Sequence, residues 1–143
     1  MIYTEKTKKA LKFCFKAHKR QCDKSGMPYV FHPFHLAEQM TDETTTIVAL
    51  LHDVIEDTRY TEKHIKKMGF DDSVIDALRL LTHNDDTEYM DYVAKIKENP
   101  IAKAVKLADL KHNSDLTRLD VVDEKALKRR EKYLKAIELL ENS

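Results

Sequence analysis

Residues 45–58 read TTIVALLHDVIEDT. Ile47 to Leu51 is apolar without a break, and Val54 and Ile55 carry the run past His52 and Asp53. A helix that is apolar nearly all round belongs in the middle of a protein, not on its surface. The spacing predicts a central buried helix over residues 45–56, capped by Asp42. The rest of the chain offers little else to build with. Two Gly and three Pro in 143 residues are too few for the many tight turns of a sandwich or barrel.

Working outward, the same signals predict further helices and no convincing strand. Residues 4–21 carry Ala10, Leu11, Cys14, Ala17 and His18 along one stripe. The break DKSGMP follows, and Pro33 is expected to open a short helix ending near Met40, with His32 just outside it. Residues 61–68 form a helix stopped by Gly69, and Asp71 or Asp72 caps another running to Leu81. Residues 88–98 end at Asn99-Pro100, and residues 101–117 show Ile101, Ala104, Val105 and Ala108 in a stripe. Residues 123–140 close the chain, with Ala126, Leu127, Leu134, Ile137 and Leu140 expected inside. The expectation is an all-α, single compact bundle of seven or eight helices, with 1–143 as one domain.

Composition narrows the function classes. Lys plus Arg and Asp plus Glu are 25 each, so the basic excess of a nucleic-acid binder is absent from the total. No stretch is long and apolar enough to span a membrane, and the start, MIYTEKTKKALKF, lacks the apolar core of a secretory signal. Cys14 and Cys22 are read as reduced thiols of a cytoplasmic protein. The basic residues Lys125, Lys128, Arg129, Arg130, Lys132 and Lys135 alternate with acids and read as a solvated helix face.

The central helix contains residues that such a helix should not contain. His52, Asp53, Glu56 and Asp57 interrupt the apolar run. Unpaired buried carboxylates cost several kcal/mol each, so they persist when paired, hydrogen-bonded or bound to a metal. Adjacent helical residues differ by about 100°, so His52 and Asp53 can reach one ion placed between them. In AVKLADLKHN, Asp109 repeats the anomaly, with Lys106 before it and His112 and Asn113 after it. His32 in VFHP is a third isolated candidate. Taken singly, each could be a cap, a surface ion pair or a satisfied core group. Together, imidazoles and carboxylates from three segments are what a divalent metal uses to activate water.

These residues resemble a known family. AHKRQ (17–21), KSGMPYVFHP (24–33), ALLHDVIEDT (49–58) and VKLADLKHN (105–113) are similar to the HD superfamily of metal phosphohydrolases. More narrowly, they resemble the hydrolase domain of RelA/SpoT-type alarmone enzymes and their small stand-alone relatives. The resemblance implies one metal ion, usually Mn²⁺, held by His32, His52, Asp53 and Asp109. It implies that Glu56 and Asp57 position or activate the attacking water, and that Lys24, Ser25 and Asn113 meet the nucleotide. It implies removal of the 3′-diphosphate from guanosine tetra- or pentaphosphate, the stringent-response nucleotides.

Lys24, Lys106, Lys111 and Arg20 are expected to hold phosphate charge. His18 and His112 should support the site, His35 should be supporting or exposed, and His64 and His83 should be surface residues. Tyr89 and Tyr92 are expected either at the pocket mouth or in the core. Asp23 stands where the family places an arginine against the guanine. That departure keeps open a nucleotidase acting on another phosphorylated nucleoside, or a non-catalytic nucleotide sensor. The expected partner is a small nucleotide, with no nucleic acid and no membrane, for a monomer or homodimer.

Overall fold

A computed structural model describes residues 1–142. The end of the expected domain 1–143, Ser143, lies outside the described residues. Among the described residues there are nine α-helical segments, one short 3₁₀ turn and no strand beyond an isolated bridge between Cys22 and Pro28. The segments are α1 (Glu5–His18), α2 (Phe31–Glu38), α3 (Glu43–Leu51), α4 (Val54–Asp57), α5 (Glu62–Lys67), α6 (Asp72–Leu81), α7 (Tyr89–Ile96), α8 (Pro100–Asn113) and α9 (Glu124–Glu141). The 3₁₀ turn Leu116–Arg118 precedes α9.

Helix α3 is the centre of the bundle, as its sequence requires. Thr45 through Leu51 are all buried, and α1, α2, α6 and α8 pack around them. Complete burial of residues such as Leu50 and Leu51 contributes about 1.5–3 kcal/mol each. Helix α9 lies across α7 and α8 and closes the other side. The starts are chemically specified. The Thr4, Asp42, Asn99 and Asp123 side chains accept from backbone N–H groups that helices leave free. Gly69, at φ +85°, ends the α5 segment in the left-handed region open to glycine.

The structure corrects four expectations. The central helix is not continuous. It breaks at His52 and Asp53, and α4 resumes for one turn. Asp53 sits at φ −105°, ψ 0°, the sparsely used bridge region found at many functional sites. Secondly, His32 lies inside α2 although Pro33 follows it. Proline in the first helical turn removes an N–H that has no partner there anyway, so the helix tolerates it. Thirdly, Leu127 and Leu134 of α9 are exposed, because the shorter Ala126 and Ala136 face the bundle beside Leu140. Fourthly, Ala102 rather than Ile101 or Ala104 is fully buried with Val105 and Ala108 in α8.

Candidate metal centre

The break in α3 turns the chain so that His52 and Asp53 present their side chains to α2 and α8. His52 Nε2 lies 3.0 Å from Asp53 Oδ2 and 3.4 Å from Asp109 Oδ1. His32 Nε2 lies 2.8 Å from the same Asp109 oxygen. Donor atoms of His32, His52 and Asp109 fall within 4.8 Å of one another, and so do those of Asp53, Glu56 and Asp57. His32, His52 and Asp109 are buried.

The two imidazoles are oriented from behind. His52 Nδ1 donates to the Ala49 carbonyl at 2.7 Å, which leaves Nε2 facing the carboxylates. His32 Nδ1 lies 2.7 Å from His112 Nδ1, and the two rings stack with 2° between their planes. Fixing one ring nitrogen through an outer hydrogen bond sets which nitrogen is free to ligate. The Tyr29 hydroxyl donates to Asp53 Oδ2, and Asn113 Nδ2 donates to Asp109 Oδ1 at 3.0 Å. Lys106 Nζ sits 3.0 Å from Asp109 Oδ2.

This donor set fits a divalent cation. His52 Nε2 is buried and has no hydrogen-bond partner, although carboxylate oxygens stand close on two sides. Buried polar atoms almost always find partners, and a nitrogen lone pair aimed at carboxylates calls for positive charge between them. The electrostatics agree. Burial works against a charge on His52, but Asp53 and Asp109 outweigh it and raise its pKa well above the ordinary imidazole value. Burial likewise opposes ionisation of Asp109, and Lys106 with the two imidazoles holds it well below the usual carboxylate range.

Above this floor opens a cavity of about 580 Å³. Asp53, Glu56, Asp57 and Asp109 line it, together with Lys24, Ser25, Lys106 and Asn113. Glu56 Oε1 accepts from the His83 backbone N–H at 2.7 Å. Burial, then Asp53 and Glu56, raise the Asp57 pKa to about 6. Ser25 Oγ donates to the Arg118 carbonyl, which ties the 22–28 loop to the 3₁₀ turn.

The predicted metal ligands, the Glu56-Asp57 pair and Lys24, Ser25, Lys106 and Asn113 lie together at this cavity or its floor, while two expected phosphate holders do not. Lys106 is largely buried and neutralised by Asp109. Lys111 is not at the cavity; it pairs with Glu141 at 3.3 Å on the outer surface. Arg20 is exposed and does not line it either. His18 is buried with its ring 5.1 Å from Tyr29, and His35 is exposed and stacks on His112 at 3.9 Å. His83, expected at the surface, is half-buried in the cavity wall. Tyr89 and Tyr92 both line the cavity. Tyr29, Arg118 and Tyr133 were not anticipated. Tyr29 stands three residues before His32 in KSGMPYVFHP, which is the one signal that could have found it, and nothing in the local sequence marked the other two.

No family model matches the chain. It is 34% identical over 122 residues to a protein of Borreliella burgdorferi named guanosine-3′,5′-bis(diphosphate) 3′-pyrophosphohydrolase, covering 73% of this chain and 18% of that one. It is 30% identical over 136 residues to a probable GTP pyrophosphokinase of Mycobacterium leprae, covering 86% and 17%. The chain thus spans under a fifth of the length of these curated relatives. A solved structure of a metazoan ortholog of SpoT, described as hydrolysing ppGpp, superimposes with a TM-score of 0.78 at 25% identity. That likeness covers 99% of this chain and 89% of the other.

Proposed function

This chain is an HD-type domain like the hydrolase domain of the RelA/SpoT enzymes, and from that premise we propose that residues 1–143 form one hydrolase that removes the 3′-diphosphate of guanosine 3′,5′-bis(diphosphate). The long relatives carry names for both synthesis and hydrolysis of such nucleotides. The metazoan protein, matched over nearly its whole chain, favours hydrolysis. The observation that carries the reading is the orphaned His52 Nε2, buried against Asp53 and Asp109, the two carboxylates that line the floor of a nucleotide-sized cavity.

His32, His52, Asp53 and Asp109 would hold the ion, and two imidazoles with two carboxylates suit Mn²⁺. Once bound, the ion supplies a Lewis acid for a phosphoryl oxygen and makes nearby water more acidic. Asp57, in the cavity beside Asp53, takes the proton of the attacking water as general base. Glu56, held by the His83 N–H, stands beside it and shares the proton. Lys106 keeps Asp109 ionised and in place. Asn113 fixes the other Asp109 oxygen and faces the nucleotide, and Lys24 and Ser25 form the loop wall on which it rests. No helix among the described residues is long and apolar enough to cross a membrane.

Asp23 in the same wall favours a second reading, a nucleotidase for a base other than guanine. One experiment separates the two. Mn²⁺-loaded protein is incubated with guanosine 3′,5′-bis(diphosphate), its adenosine counterpart and nucleotides phosphorylated only at the 5′ position. Pyrophosphate and GDP from the first alone are expected. Preferential hydrolysis of the adenosine compound would support the second reading, and no release from any of them would sink both.

A further inference from the structure

Helix α9 has two faces of different character. Ala126, Ala136 and Leu140 are buried on the side that packs against α7 and α8, and Arg129 and Tyr133 are half-buried in the cavity wall. Leu127, Arg130, Glu131 and Leu134 stand at i, i+3, i+4 and i+7 and form a second stripe along the helix. All four are exposed, Leu127 at 49% and Leu134 at 44%. A single exposed leucine needs no explanation. Two on one stripe, with opposite charges between them, have the make-up of a contact surface. We propose that this stripe is a homodimer interface, in which α9 of one protomer packs antiparallel on α9 of its partner.

The order of the residues selects a second copy as the occupant. The stripe runs Leu, Arg, Glu, Leu, so turning it end for end returns the same pattern with the charges exchanged. A two-fold axis between Arg130 and Glu131 places Leu127 against the partner's Leu134 and Arg130 against the partner's Glu131. That is the self-complementarity of an isologous contact. A parallel pair would instead set Arg130 against the partner's Arg130. Within its own helix Arg130 has Ala126, Leu127, Tyr133 and Leu134 three and four residues away, and no carboxylate among the described residues pairs with it. Glu131 reaches Lys135 at 4.0 Å, between two exposed side chains, a pairing of little worth. Packed helices cross at about 20–50° and diverge from the crossing point. The like-charged ends at Asp123 and Glu138 are thereby carried apart, and contact is confined to the turns between Leu127 and Leu134. One such helix pair buries no more than about 1,200 Å² in total, the low end for specific complexes, so the dimer exchanges with monomer. The pairing does not depend on the hydrolase activity.

Sedimentation equilibrium of the full chain over about 5–500 µM, a range suited to a weak interface, tests the pairing. The wild type should pass from the mass of one chain to that of two across this range. Arg130→Glu sets like charges opposite one another and should weaken association by about tenfold or more, and so should Glu131→Arg. The double variant Arg130→Glu/Glu131→Arg restores opposite charges across the two-fold axis and should associate as the wild type does. Leu127→Ser should remain monomeric. These side chains are exposed, so all variants should match the melting temperature of the dilute wild type. A wild type that is monomeric throughout overturns the dimer and leaves the stripe to a different partner. A dimer indifferent to Arg130→Glu, or a double variant no better than the single ones, overturns the antiparallel α9 pairing.

Discussion

His52 Nε2 and Asp53 Oδ2 face one another at 3.0 Å across a buried gap, and no hydrogen bond joins them. His52 has already committed Nδ1 to the Ala49 carbonyl, so its remaining lone pair has no partner but a cation. A bound ion then stabilises the native state by mass action. At a hundredfold excess over Kd the gain is about 2.7 kcal/mol, or roughly 5–10 °C in melting temperature for a chain of this size. Mn²⁺ should produce that shift in the wild type and none in Asp53→Ala. An Asp53→Ala protein that kept its full metal content and its hydrolysis would refute the centre.

Asp109 should behave differently from Asp53 because it has a second duty. Lys106 is almost wholly buried, and Asp109 is its only carboxylate partner among the described residues. Breaking a buried pair by removing one member costs about 3–5 kcal/mol, whereas removing both is often near neutral. Asp109→Ala should therefore lose metal and much of its stability in urea denaturation. Adding Lys106→Met should restore most of the stability and none of the metal binding. A single Asp109→Ala protein as stable as the metal-free wild type would show that the ion pair contributes nothing.

Much of this was readable from residue patterns, and the failures have physical causes. The apolar run around Ile47–Leu51 identified the buried helix, because burial on all sides leaves a mark in composition alone. His32, His52, Asp53 and Asp109 stood out as polar groups in apolar surroundings. The break at Asp53 was not readable, since a helix and a helix with one distorted turn have the same periodicity. Leu127 and Leu134 misled because apolar spacing does not say that alanines will make the closer approach. Arg129 was hidden inside an alternating charged run, and only the three-dimensional course of α9 separates it from its solvated neighbours.

The crowding of Asp53, Glu56 and Asp57 gives a pH signature in the metal-free protein. The Asp57 pKa is raised to about 6 by burial and by its acidic neighbours, above the ordinary value of 3.8. Its ionised form therefore costs stability above pH 6, and that cost fades as pH falls through about 6 and is gone near 4. Asp57 is exposed, so solvent screening reduces the penalty to about 1 kcal/mol. With EDTA present, Asp57→Asn should melt a few degrees above the wild type at pH 8 and level with it at pH 4. The same variant should be nearly inactive when loaded with Mn²⁺. Equal melting temperatures at both pH values would mean that the three acids do not repel one another.

The two cysteines provide a chemical probe of the cavity. Cys14 is fully buried in α1, and burial, followed by Asp53, pushes its thiol up to about 12. Thiolate is the reactive form, so Cys14 should resist alkylation while the protein is folded. Cys22 is exposed and lines the cavity beside Asp23 and Lys24. N-ethylmaleimide should modify Cys22 first, by at least about a hundredfold in rate, and mass spectrometry of tryptic peptides would locate the adduct. GDP should slow that modification if the nucleotide rests on the Cys22–Ser25 wall, and a Cys22→Ser protein should keep its activity after treatment. Modification of Cys22 at the same rate with saturating GDP would place the nucleotide elsewhere in the cavity.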